Sequence, residues 1–117
     1  MTLSEQQQLF AQHVAQLIIE IKNQGYACTL AEAYRTSEQA ALYAKRGVGI
    51  IDSLHCERLA IDLNLFKNGE YLMDNNSYEI FGKWWESLDP NNRWGGYFVS
   101  KYGGHIVDLD HFERKPE

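Results

Sequence analysis

Histidine, aspartate and glutamate, the residues that bind divalent metals or move protons, gather in two short stretches of this chain, Ser53 to Phe66 and Val107 to Glu113. In the first, Leu59, Ile61, Leu63 and Leu65 alternate with Ala60, Asp62 and Asn64, the period of a strand with one polar face. A carboxylate held there near a core needs a cation or a metal as partner. His55 lies seven residues earlier, beyond the reach of one helical turn, and meets Asp62 only if the chain between them bends as a loop entering a strand does. Taken alone, the spacing suits a loop histidine and an aspartate paired with an arginine better than it suits a metal pair.

In the second stretch Asp108 and His111 are three apart, so an ideal strand would point them to opposite faces. A turn leading into a strand brings them to one site, as a third ligand and a nearby carboxylate that does not bind metal. Two imidazoles and one carboxylate, from His55, Asp62 and His111, leave a tetrahedral zinc one open position for water. With a single ligand charge the ion stays net positive, able to polarise a carbonyl and acidify water. Asp108 would then take the water proton and hand it to the leaving amine. Spacing leaves two exchanges open: Asp110 for Asp108 as base, and His105 for His111 as ligand. Glu113 can share the strand face of His111, either as acceptor for a ligand imidazole or simply solvated. Arg35, at a strand-to-helix junction, suits a substrate carboxylate or an oxyanion, or else an ordinary pair with Glu32 or Glu38. The oxygen-rich run Asp74 to Glu79 suits calcium, but helix capping by Asn76 explains the same residues.

The elements that must position these groups follow from periodicity. Residues 4–24 read as an amphipathic helix, capped by Ser4 with Gln7, stopped at Gly25, and burying Phe10, Val14, Leu17, Ile18 and Ile21. His13 falls at the edge of that stripe. Residues 26–34 suggest a strand, Thr36 with Gln39 opens a second helix ending at Gly47, and Asn68-Gly69 signals a hairpin returning through Glu70-Tyr71-Leu72. Asn76 with Glu79 is expected to start a third helix carrying Phe81, Trp84, Trp85 and Leu88, ended near Pro90. The sum is an α+β chain, helices packed on a small antiparallel sheet. Its 117 residues fit one domain, 1–117, large enough to bury a core without metal or disulfides, so a metal here would be chemical rather than structural.

Composition narrows the function classes. Eleven basic against 16 acidic residues give a net charge of −5, and no basic run supplies a nucleic-acid footprint. No apolar stretch reaches membrane-span length, so stable membrane insertion is not expected. The polar start, Met1 to Gln8, carries no basic region of a signal peptide, which points to synthesis in the cytosol. Cys28 and Cys56 lack a C-x-x-C or framework spacing and read as free thiols of a reducing compartment.

Ser53-Leu54-His55 followed by Leu59-Ala60-Ile61-Asp62-Leu63-Asn64-Leu65-Phe66 resembles the S-x-H-x(6)-D signature of zinc D-Ala-D-Ala peptidases and phage L-alanyl-D-glutamate endolysins. Asp108-Leu109-Asp110-His111-Phe112-Glu113 is similar to the second signature of that family. Glu32-Ala33-Tyr34-Arg35-Thr36 with Gln39 resembles its arginine segment, and Trp94-Gly95-Gly96 its glycine-rich turn; the likeness runs from about Ala31 to Glu113 in family order. It implies a fold like that of hedgehog-type and D-Ala-D-Ala metallopeptidase domains, with zinc on His55, Asp62 and His111. It further implies Asp108 as base, Arg35 near the substrate, and Ser53 helping to bind a substrate carboxylate. Many relatives carry glycine where this chain has Arg58 or Leu59. At position 108, some carboxypeptidase and dipeptidase relatives use glutamate, so aspartate leans toward the phage endopeptidase branch. The expected substrate is a peptidoglycan stem peptide, cleaved by a monomer at L-alanyl-D-glutamate, with D-Ala-D-Ala carboxypeptidase activity or a non-catalytic zinc-stabilised wall-binding module as alternatives. Lacking a signal peptide, such a lysin would reach the periplasm through a membrane-disrupting partner.

Overall fold

The computed structural model describes residues 1–47, 53–99, 101–103 and 106–117. The first helix, α1 (Leu3–Asn23), begins one turn-step earlier than its periodicity suggests. Thr2, not Ser4, is the cap: its side chain accepts from the Glu5 amide while Glu5 returns to the Thr2 amide, a closed capping box. Gly25, at φ 87°, turns the chain into strand β1 (Ala27–Leu30), shorter than expected. Thr36 caps α2 (Ser37–Lys45) by accepting from the Gln39 amide, as its sequence predicts. Strand β2 (Ala60–Lys67) follows, and Asn68 and Gly69, at φ 52° and 80°, close the tight hairpin onto β3 (Glu70–Tyr71). The third helix, α3 (Asn75–Leu88), is capped by Asp74 rather than Asn76, through the Ser77 amide and hydroxyl. That capping employs the carboxylate that a calcium site would have needed. Two short strands, β4 (Asn92–Trp94) and β5 (His111–Arg114), complete the sheet.

The sheet is antiparallel, ordered β1-β2-β5-β4, with β3 hydrogen-bonded to the end of β2. Strand β2 divides its residues between two environments. Ile61, Leu63 and Leu65 join Phe10, Leu17 and Ile21 of α1 and Tyr78, Phe81 and Trp85 of α3 in one buried cluster. Ala60, Asp62 and Asn64 take the other face, and the site is built there. Trp85 supports β5 from the helix side: its ring stands edge-on to Phe112 at 6.0 Å, and its Nε1 donates to the Glu113 carbonyl at 3.0 Å. His13, expected at the edge of the α1 stripe, is instead buried, edge-on to Trp85 and 3.4 Å from the Asn92 amide. A partner from β4, invisible in the helix periodicity, draws it inward. Among the described residues, no helix is long and apolar enough to cross a membrane.

Trp94 is fully buried against α3, where Gly82 leaves room for it; a Cβ at Gly82 would stand 2.2 Å from the indole. Gly82→Ala should therefore destabilise the fold by about 1–3 kcal/mol, although alanine is the better helix former. Denaturant unfolding checks this; a stabilised variant would show that the helix and strand can separate freely.

Candidate metal centre

His55 reaches the sheet through a single 3-10 turn, Leu54–Glu57, which supplies the bend its distance from Asp62 requires. Ser53 caps the turn, its buried hydroxyl accepting from the His55 amide at 3.2 Å. Arg58 ends it at φ 56°, the left-handed region where glycine is at ease, and its guanidinium lies 4.1 Å over the Tyr34 ring. Segment 31–35 locks the histidine from the other side. The Arg35 amide donates to the His55 carbonyl at 3.1 Å, and His55 Nδ1 donates to the Ala33 carbonyl at 2.9 Å. A carbonyl only accepts, so Nδ1 carries a hydrogen, and Nε2 is the nitrogen turned toward Asp62.

Asp62 and His111 are directly opposed residues of the β2–β5 ladder and so share a face. Asp62 Oδ1 lies 3.2 Å from His111 Nδ1 and 3.3 Å from His55 Nε2. Glu113, two residues along the same strand, accepts from His111 Nε2 at 2.8 Å and is itself buried. Of its two expected roles, acceptor for an imidazole is the one found. Both imidazoles therefore donate from one nitrogen and turn the other toward Asp62.

Asp108 comes to the same place because the chain turns before β5, the turn its spacing demanded. Its carbonyl accepts from the His111 amide at 3.3 Å, and its amide donates to the Gly95 carbonyl at 3.0 Å. Side-chain Oδ2 stands 3.8 Å from His111 Nδ1. A Cβ at Gly95 would lie 2.1 Å from the Asp108 carbonyl oxygen and 2.9 Å from the His111 Cβ. The glycine of the Trp-Gly-Gly turn is thus a spacer that lets the Asp108 segment approach the start of β5.

The donor set fits a tetrahedral ion. His55, Asp62 and His111 each offer an atom, all within 4.8 Å of one another. Bonds of about 2.0–2.1 Å at tetrahedral angles separate ligand atoms by about 3.3–3.4 Å, close to the two spacings around Asp62. Without metal, protons take up the charge. Burial pushes the Asp62 carboxyl up, but hydrogen bonds and charge from His111 and His55 outweigh it and hold it at about 2. Burial disfavours the His111 imidazolium, yet Asp62 and Glu113 raise it to about 10. Asp110 also reaches the cluster, its oxygen grouped with those of Asp62 and Asp108. Burial, the hydrogen bond with Asp108 and the charges of Asp62 and Asp108 push it up to about 8.

Arg35 points its guanidinium at Glu32, which accepts from Nε at 2.8 Å and from Nη2, and it also stands 4.9 Å from the Tyr43 ring centroid. The pair with Glu32 is one of the two partners its sequence context allows, and Glu32 Oε1 is itself 3.8 Å from His55 Nδ1. Cys28 and Cys56 are free thiols. His105, the rival ligand, lies outside the described residues. Sequence reasoning missed three supports: the Ala33 carbonyl, the Phe98 ring 5.2 Å from His111, and Arg93, which pairs with Glu113.

No protein-family model matches the sequence, and neither does a curated protein. Solved structures do match. The L-Ala D-Glu endopeptidase ChiX of Serratia marcescens aligns with a TM-score of 0.62 at 16% identity, over 76% of this chain and 67% of its own. A mutant of the vancomycin-resistance D,D-pentapeptidase VanY from the VanB-type cassette, in complex with Zn(II), gives 0.60 at 18% identity, over 92% and 71%. VanYB in complex with D-alanine-D-alanine gives 0.59 at 18% identity, over 92% and 70%. The chain shares their fold. The D-Ala-D-Ala metallopeptidase-like architecture implied by the signatures is thus found in three dimensions.

The charge pattern sets a pH dependence for the metal-free protein. A folded pKa raised from 6.5 to about 10 makes His111 contribute stability below 6.5 that is lost as pH rises through about 10. Asp110, raised from 3.8 to about 8, adds to the loss on its own rise in pH. Asp62 works in the opposite sense, its contribution vanishing only as pH falls from 3.8 through about 2. Thermal unfolding in chelator should therefore show the melting temperature falling steadily from pH 6.5 to 10, with a flatter alkaline limb in His111→Gln. An unchanged limb in that variant would move the effect elsewhere.

Proposed function

We propose that this chain is a single-domain, monomeric zinc peptidase that hydrolyses the L-alanyl-D-glutamate bond of peptidoglycan stem peptides, acting on the wall in the periplasm after release from the cytosol. The observation that carries the reading is the donor set of His55, Asp62 and His111: each imidazole tied back through one nitrogen, with a further carboxylate, Asp108, at its margin. The endopeptidase ChiX, with the same fold, supports the choice of bond. So does the aspartate at 108, in the light of the family's signatures.

His55 Nε2, Asp62 and His111 Nδ1 would hold the ion. Zinc, when bound, supplies a Lewis acid that polarises a carbonyl and brings the pKa of water near neutrality. Asp108 accepts the proton of the attacking water at its carboxylate and passes it to the departing amine. Its backbone, held by Gly95 and His111, fixes the position of that carboxylate. Arg35 receives a substrate carboxylate or the developing oxyanion after exchanging its Glu32 contact, and Ser53 serves the substrate indirectly, by setting the turn that presents His55.

A second reading, D-Ala-D-Ala carboxypeptidase, is favoured by the match to VanYB in complex with D-alanine-D-alanine over 92% of this chain. Mass spectrometry of digested muropeptides separates the two. A new free amino group on D-glutamate is expected; loss of terminal D-alanine would transfer the assignment to the carboxypeptidase. Asp108→Asn should keep zinc and lose hydrolysis by roughly 10²–10⁴-fold. Activity retained in that variant would move the base to Asp110.

A further inference from the structure

The two imidazoles of the centre are supported in unequal ways. His55 Nδ1 donates to a backbone carbonyl, Ala33, whose place is fixed by the chain. His111 Nε2 donates to Glu113, a side chain with three torsions of its own. That carboxylate is buried, so it needs a second partner to stay where it is. Arg93 supplies one. Residues Arg93 and Glu113 are directly opposed in the β4–β5 ladder, and Arg93 donates to Glu113 Oε2 from Nε at 2.7 Å and from Nη2.

The two carboxylate oxygens divide their work. Oε2 is held by the guanidinium, so Oε1 is left facing His111 Nε2 at 2.8 Å. The Tyr102 ring lies 5.6 Å from the guanidinium carbon and backs it on the outer side. A chain of contacts thus runs from the half-buried Arg93 through Glu113 to a metal-facing nitrogen, and the bond that fixes which nitrogen carries the hydrogen sits in its middle.

We propose that Arg93 is a positioning residue for the metal centre: by clamping Glu113 Oε2 it orients Oε1 toward His111 Nε2, and so presents His111 Nδ1 to the ion. This rests on the zinc reading above and extends it to a residue that touches neither metal nor substrate. Partners bonded directly to a ligand imidazole, as Glu113 is to His111, commonly govern metal affinity by about 10–100-fold, and Arg93 acts through that partner. A lysine at 93 would keep the charge but donate from one nitrogen, without the fork that holds one carboxylate oxygen.

The test is zinc affinity by chelator competition, together with the imidazole N–H resonances of the zinc-loaded protein, for wild type, Arg93→Gln and Arg93→Lys. Expected are an affinity about 10–100-fold weaker in Arg93→Gln and a smaller loss in Arg93→Lys. The His111 Nε2–H resonance should shift or exchange faster in Arg93→Gln while the His55 Nδ1–H resonance stays put. A general loosening of the fold would move both resonances and is contrary to the proposal. Wild-type affinity and an unmoved His111 signal in a folded Arg93→Gln would overturn it. Should that variant fail to fold, Arg93→Lys decides alone, since unchanged affinity there contradicts the need for a fork. A wild-type chain that binds no zinc removes the metal reading itself, and this proposal with it.

Discussion

Asp62 and His111 face one another across an antiparallel ladder, and that pairing joins parts of the chain that sequence keeps far apart. Directly opposed residues bring their Cβ atoms to about 4.5–5.5 Å, close enough for two side chains to share one ion. A slip of one residue would send His111 to the helix side and Phe112 to the site. The register is held because the other face is buried: Phe112 and Ile61 pack into the core, and Trp85 binds the Glu113 carbonyl. The hydrophobic core thus acts on the centre by forbidding any one-residue slip of this register.

Around this pairing the remaining groups arrive by short, local devices. One capped 3-10 turn delivers His55, and one turn with a glycine spacer delivers Asp108. The result is a crowd of buried imidazoles and mostly half-buried carboxylates that costs stability unless cations offset it. In the metal-free chain a proton on His111 does so, and Asp110 retains its own. A divalent ion held by His55, Asp62 and His111 would replace that proton with a larger charge. The two spacings around Asp62, 3.2 and 3.3 Å, are already those of a coordination shell.

Where the sequence could be read, it was read through periodicity and local chemistry. The alternation of Leu59 to Leu65 placed Asp62 on a polar strand face, Asn68-Gly69 closed its hairpin, and Glu113 followed His111 on one face as period two requires. Caps were harder, because neighbouring candidates compete: Thr2 displaced Ser4 and Asp74 displaced Asn76 once the helices could start earlier. Residues joined only by register were beyond reach. Nothing local to Arg93 indicates Glu113, and nothing local to His13 indicates Asn92. Asp62 and His111 were linked in advance by the resemblance of their motifs, since strand pairing over such a separation has no signature in spacing.

If the proposed zinc site is right, His55 from its turn and Asp62 and His111 from the β2–β5 face together hold a single ion. X-ray absorption at the zinc edge of the loaded protein tests it most directly. Expected are one zinc per chain, a shell of nitrogen and oxygen alone at about 2.0–2.1 Å, and outer-shell scattering from two imidazoles that falls to one in His111→Gln. A sulfur at about 2.3 Å, from Cys56 or Cys28, or an outer shell unchanged in that variant, would contradict it.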